Sequence, residues 1–259
     1  MKKNFDMLPL LIDLDGVLRI GSKPAEYLND FFDHLVITGR KACIISNTTL
    51  LNAEEIKKFF DKEKISLLFP LMTASDATYL YSKSRYKKVA VYSSDLVKNM
   101  FVEMLDYENP EAVIVGDMGK NWTYEILNDI FRKVKDGAGF IAMQKNKFWK
   151  TPEDGLLLDA GAFVKAIEYS TNKEATLIGK PSPIYFQTGL EKLDVDKESE
   201  FIMLGDDLET DIKGANDIGA KSILIYTGKT SKPVSPGSEY KPDFEADNLL
   251  DVIEILKKV

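Results

Sequence analysis

The stretch Leu11-Ile12-Asp13-Leu14-Asp15-Gly16-Val17-Leu18 sets two carboxylates, two residues apart, directly behind an apolar run that begins at Leu8. A short apolar run ended by a turn residue reads as a buried strand, and open α/β sheets bind ligands at the carboxyl ends of such strands. Spacing of two points the Asp13 side chain into that crevice, while a turn at Gly16 can bring Asp15 back toward it. An isolated Asp-x-Asp is more often a solvated turn. Its weight therefore depends on what the rest of the chain delivers to the same place.

Outward from this segment, short apolar runs alternate with stretches of helical period, the pattern of a doubly wound, mostly parallel α/β sheet. Leu8 to Ile12 and Lys41 to Ile45 read as strands, and between them Leu28, Phe31, Phe32 and Leu35 form a helical face closed by Gly39. Asn52 and Glu55 have capping-box spacing ahead of Ile56, Phe59 and Phe60. Further strands are predicted at Val89 to Tyr92, Ala112 to Val115, Phe140 to Met143, Ala175 to Ile178, Phe201 to Leu204 and Ser222 to Tyr226. Helices are predicted over Leu96 to Met104 and Ile126 to Val134, and a last one, capped near Asp247, runs through Leu256. Lys232 to Pro242, with three prolines, reads as a surface loop.

The 259 residues, 44% of them hydrophobic, suffice for one large or two modest domains. With 34 Lys plus Arg against 41 Asp plus Glu the net charge is −7, which argues against a nucleic-acid partner. One cysteine forbids an internal disulfide, and one histidine excludes His-cluster zinc chemistry. Met7 to Ile12 is shorter than a secretory core and runs into charge, and no apolar run approaches the ~20 residues of a membrane helix. A cytoplasmic protein without a membrane partner is expected.

Three more strand ends carry reactive side chains. Ile45-Ser46-Asn47-Thr48-Thr49 offers a hydroxyl and successive backbone N–H groups to an anion. Ile178-Gly179-Lys180-Pro181-Ser182-Pro183 delivers a lysine just ahead of a helix start, with Ser182 as cap and Pro183 in the first turn. Leu204-Gly205-Asp206-Asp207-Leu208-Glu209-Thr210-Asp211 is an acidic loop, whose carboxylates repel one another unless a cation is present, so a hard-metal site is the economical reading.

Asp-x-Asp, Ser, Lys and an acidic segment at four strand ends, in this order, resemble the four motifs of the haloacid dehalogenase (HAD) superfamily across the whole chain. Val113 to Asp117, Tyr124, Leu127 and Gly137 to Ala142 look like the cap of its type IIA branch, which holds the NagD-like and 4-nitrophenyl phosphate phosphatases. Lys145 to Lys150, Asp154-Gly155-Leu156 and Ala162 to Tyr169 are similar to one subgroup. That subgroup contains phospholysine phosphohistidine inorganic pyrophosphate phosphatase and haloacid dehalogenase-like hydrolase domain-containing protein 2. The likeness departs at Met143-Gln144-Lys145-Asn146, where many type IIA members have Thr-Asn-Pro-Asp, which leaves the substrate open.

The resemblance implies a catalytic core over residues 1–85 and 175–259, with an α/β cap domain inserted at 86–174. It implies a phosphatase that hydrolyses a small phosphorylated metabolite through an aspartyl-phosphate on Asp13, with Asp15 as general acid and base. Mg²⁺ would be held by Asp13, Asp206 and the backbone carbonyl of Asp15, with Asp207 and Asp211 orienting from behind. Ser46, Asn47 and Lys180 would bind the phosphoryl group, with Lys180 also supplying its charge to Asp13, while Lys145, Phe148, Trp149 and Lys150 are candidate substrate contacts in the cap. A homodimer through the cap is a further implication. The competing reading is a catalytically silent phosphate-binding or phospho-acceptor protein on the same fold.

Other chemistries fail on the residues. Cys43 has Thr49 six places on, where a cysteine phosphatase needs arginine. Gly137 to Ala142 resembles a dinucleotide fingerprint but precedes a strand, and Gly228-Lys229-Thr230 has Ile223 where a P-loop needs its first glycine.

Overall fold

A computed structural model describes residues 7–151 and 155–259, with the backbone alone described at 149–151. The apolar run ahead of Asp13 forms β1 (Leu10–Asp13), buried along its whole length. After a turn at Gly16 comes a small antiparallel hairpin, β2 (Arg19–Ile20) and β3 (Lys23–Pro24). The amphipathic α1 (Leu28–Thr38) buries Leu28, Phe31, Phe32 and Leu35 and stops at Gly39, whose positive φ turns its N–H back onto the last carbonyls. β4 (Ala42–Ser46) is again fully buried, and α2 (Ala53–Lys62) begins where the Asn52 side chain accepts the Glu55 N–H at 3.0 Å.

β5 (Leu71–Thr73) and α3 (Ala74–Lys83) have no counterpart in the sequence pattern. The strand is too short to show a period, and a reciprocal Thr73–Asp76 capping box starts the helix. β6 (Val89–Tyr92) matches its prediction, but α4 (Asp95–Asn99) is much shorter than the helix predicted over Leu96 to Met104. Phe101 leaves the helical path and packs edge-on against Tyr79 at 5.5 Å, so a ring contact overrides the local period.

β7 (Ala112–Val115), α5 (Tyr124–Lys135) and β8 (Gly139–Ala142) follow, then the hairpin β9 (Phe148–Thr151) and β10 (Gly155–Leu158). α6 (Ala160–Thr171) starts at Asp159, and β11 (Thr176–Leu177) is shorter than predicted. α7 (Pro183–Glu191) has Ser182 at its cap position, as expected, though without a side-chain cap bond. β12 (Ile202–Gly205), α8 (Lys213–Asp217), β13 (Lys221–Ile225), β14 (Phe244–Ala246) and α9 (Leu249–Leu256) complete the chain. α9 is capped at Asn248, next to Asp247 as expected; the Asn248 side chain accepts from Leu250 and Asp251, while Asp247 pairs with Lys232.

The chain divides into two compact units: residues up to Ser46 with Lys57–Met72 and Lys180–Val259, and Asn47–Ile56 with Thr73–Gly179. The first holds a six-stranded sheet in the order β14-β13-β12-β1-β4-β5. β1 pairs in parallel with both β4 and β12, so the winding direction reverses beside it and a crevice opens at the carboxyl ends of β1 and β12. In the second unit β11-β8-β7-β6 form a parallel sheet packed on Ile130, Val134, Val164 and Ile167. Segment 86–174 lies inside this unit, which also takes in residues 47–56, 73–85 and 175–179. β11 belongs here because it pairs with β8, although the sequence reading placed residues from 175 onward in the core.

Candidate active site

Asp13 closes β1 and Asp206 follows β12, its sheet neighbour, so strand pairing alone puts both carboxylates at the switch point. After Asp206 the chain forms a helical turn, Leu208–Ile212, rather than the loop expected from its charge. The Asp207 carbonyl accepts from Asp211 and Ile212, and this winding returns the Asp211 carboxylate to the backbone N–H groups of Asp206 and Asp207, each at 3.2 Å. Among the described residues, carboxylate oxygens of Asp13, Asp206 and Asp211 lie within 4.8 Å of one another, and all three residues are buried.

One buried cation faces them. Lys180 Nζ lies 2.5 Å from Asp13 Oδ1 and 2.8 Å from Asp211 Oδ1. Burial alone would lower the lysine pKa, but Asp13 and Asp211 hold it above its ordinary value. Burial raises Asp13 well above the usual carboxylate range against the pull of Lys180, with Asp211 and Asp206 adding to the rise. Burial and the Asp211 charge bring Asp206 up to about 6, and burial raises Asp211 as well. Three carboxylates against one ammonium leave a negative excess away from water. An all-oxygen donor set of this kind fits a hard divalent cation.

Asp206 is held tightly. The Lys229 N–H donates to its Oδ2 at 2.5 Å, and a Cβ at Gly16 or Gly228 would come within 2.2 Å or 1.9 Å of the same oxygen. Gly16 also sits at φ +91°, so glycine serves both the turn and the close approach. Asp207 points elsewhere: burial would raise it, yet its 2.6 Å ion pair with Lys229 keeps it below the usual carboxylate range. Asp211, expected behind the metal ligands, stands among the clustered carboxylates, and Asp207 does not.

Asp15 is half exposed and accepts from Arg19 Nε at 2.7 Å. Ser46, at the end of β4, is buried, and its backbone is braced by Tyr185 of α7. The tyrosine hydroxyl donates to Ser46 O at 2.7 Å, lies 3.0 Å from Met72 O and accepts from Ser46 N–H at 3.1 Å. Tyr185→Phe is expected to cost about 1–3 kcal/mol, because groups in a fully buried peptide lose a partner. Urea unfolding measures this, and a loss under about 0.5 kcal/mol would show the hydroxyl to be idle.

Asn47 belongs to the second unit, where its side-chain oxygen lies against Gly179. Lys145 is committed to Glu168 at 2.6 Å and to the Ala175 carbonyl at 3.0 Å, so as a substrate contact it would first have to leave that pair. Phe148 is half exposed in β9, while the side chains of Trp149 and Lys150 lie outside the described residues. Cys43 is buried inside β4 with its thiol pushed up to about 12 by burial, as befits an inert core residue. Tyr185, Lys229 and Arg19 are the contributors the sequence reading missed. The Gly228-Lys229-Thr230 segment, which fails as a P-loop, instead sets Lys229 against Asp206 and Asp207.

Fold and site define a doubly wound α/β enzyme with a buried carboxylate and lysine cluster at its switch point. The HAD-hydrolase-like family model matches residues 177–252. Haloacid dehalogenase-like hydrolase domain-containing protein 2 of Bos taurus is 30% identical over 85% of this chain and 84% of its own length. Phospholysine phosphohistidine inorganic pyrophosphate phosphatase of Bos taurus is 31% identical over 70% of this chain and 66% of its own. The solved 4-nitrophenylphosphatase of Thermotoga maritima superposes with a TM-score of 0.87 at 27% identity, covering 96% of this chain and 97% of that one. The chain belongs to the haloacid dehalogenase-like hydrolase family.

Proposed function

We propose that this hydrolase is a Mg²⁺-dependent phosphatase acting on a small phosphorylated metabolite through an aspartyl-phosphate on Asp13. The observation that carries the reading is the convergence of Asp13, Asp206 and Asp211 on Lys180 at the ends of β1 and β12. The phosphatase names of two relatives support it. Lys180 holds one oxygen of Asp13, orienting the carboxylate whose other oxygen attacks phosphorus as the bond to the leaving group breaks. Asp15 donates a proton to the departing oxygen and then takes one from the water that hydrolyses the acyl phosphate. Ser46 and the Lys180 ammonium stabilise the phosphoryl oxygens. The carboxylates of Asp13 and Asp206 and the carbonyl of Asp15 would hold Mg²⁺, with Asp211 beside them, and the bound ion supplies the positive charge that lets a carboxylate approach a phosphate dianion.

The test is release of p-nitrophenol from p-nitrophenyl phosphate by the purified protein. Turnover is expected with Mg²⁺, to vanish with a chelator, and to return on adding Mg²⁺ back. Metal-independent inactivity, with stable labelling of Asp13 by acetyl phosphate, would make the chain a phospho-acceptor instead.

A further inference from the structure

Arg19 stands where the chemistry proposed above gives it a task. The turn after β1 returns at once on itself: Gly16 N–H donates to the Arg19 carbonyl at 2.8 Å, Arg19 N–H donates to the Leu14 carbonyl at 2.9 Å, and Asp15 and Arg19 form an isolated bridge. The backbone thus carries the guanidinium back over the Asp15 side chain, where Nε and Nη2 each lie 2.7 Å from Oδ1. Both Arg19 contacts thus fall on one oxygen of this carboxylate. Asp15 Oδ2 is left to address something else.

Arg19 is itself anchored. Its guanidinium carbon is 5.3 Å from the centroid of the Phe59 ring on α2, whose own ring packs edge-on against buried Phe60 at 5.1 Å. The arginine side chain is only 15% exposed, whereas that of Asp15 is 51% exposed. A half-exposed carboxylate has free rotamers and no packing to select one. A fork of two donors on one oxygen, backed by an aromatic shelf, selects one. Exposed ion pairs contribute little to stability, so this arrangement is better explained by orientation than by folding energy.

We propose that Arg19 is a positioning residue that holds Asp15 with Oδ2 toward the leaving-group oxygen, backed by the Phe59 ring. The inference rests on the reading of Asp15 as the general acid. A leaving group of low basicity departs as an anion and needs little proton donation, while a basic one needs the acid in place. Misplacing Asp15 therefore shows as a dependence on the leaving group, in a way that a general loss of structure does not.

The experiment compares kcat/KM for a series of substituted phenyl phosphates, from p-nitrophenyl to unsubstituted phenyl, in the wild type, Arg19→Met and Arg19→Lys. In Arg19→Met the ratio of phenyl to p-nitrophenyl phosphate is expected to fall about tenfold, within the range that one placed acid supplies. Arg19→Lys, which keeps the charge but not the fork, is expected to fall between. A ratio unchanged in both variants, or equal losses along the whole series, overturns the positioning role and leaves the phosphatase reading intact. A wild type that hydrolyses none of the esters overturns both.

Discussion

Asp13→Asn is expected to lower p-nitrophenyl phosphate turnover by about 10⁴-fold or more while leaving the protein at least as stable as before. Asparagine keeps the shape of the side chain and an oxygen that can still accept from Lys180, so the packing around β1 survives. What it loses is the charge and the nucleophilic carboxylate oxygen. Because burial and the neighbouring Asp211 and Asp206 disfavour the ionised form of Asp13, neutralising it relieves repulsion in the metal-free protein. The melting temperature of the variant is therefore expected to be no lower than that of the wild type. Activity and thermal unfolding measured side by side separate the two effects. Residual turnover within tenfold of the wild type would remove Asp13 as nucleophile.

Lys180→Met should be severe in both respects. The lysine is the counter-ion for Asp13 and Asp211, and removing it leaves buried carboxylates without compensation, a change that typically costs about 3–5 kcal/mol. Methionine has a similar length, so the loss is electrostatic rather than a cavity. Adding Asp211→Asn to the same chain is expected to recover part of the stability, because one of the stranded charges is gone, and none of the activity. Denaturant unfolding of the two single variants and the double variant yields the coupling between Lys180 and Asp211. Additive losses would mean that the 2.8 Å contact contributes nothing, and recovered turnover would mean that Lys180 serves folding alone.

Strands β1, β4, β12 and β13 of the core sheet were legible because each is a short apolar run ended by a turn or a charged residue, and the four reactive segments lie where β1, β4, β11 and β12 end. Elements whose apolar residues do not repeat were not legible. β5 is three residues long, and the helix predicted through Met104 stops early because Phe101 packs on Tyr79. Within the site, composition showed an acidic segment but not its internal division. Both Asp207 and Asp211 follow Asp206 closely, and only the wound turn over Leu208–Ile212 decides that Asp211 returns to the cluster while Asp207 pairs with Lys229.

By itself, then, the sequence determined the layered α/β architecture and which residues stand at the strand ends, since both follow from hydrophobic period and turn chemistry within a few neighbouring positions. Only the tertiary structure decided the pairings of Lys180 with Asp211, of Tyr185 with Ser46 across 139 residues, and of Asp206 with the Lys229 N–H across 23. These partners are selected by the cost of leaving a charge or a polar group buried alone. That cost exists only once the sheet has closed over them.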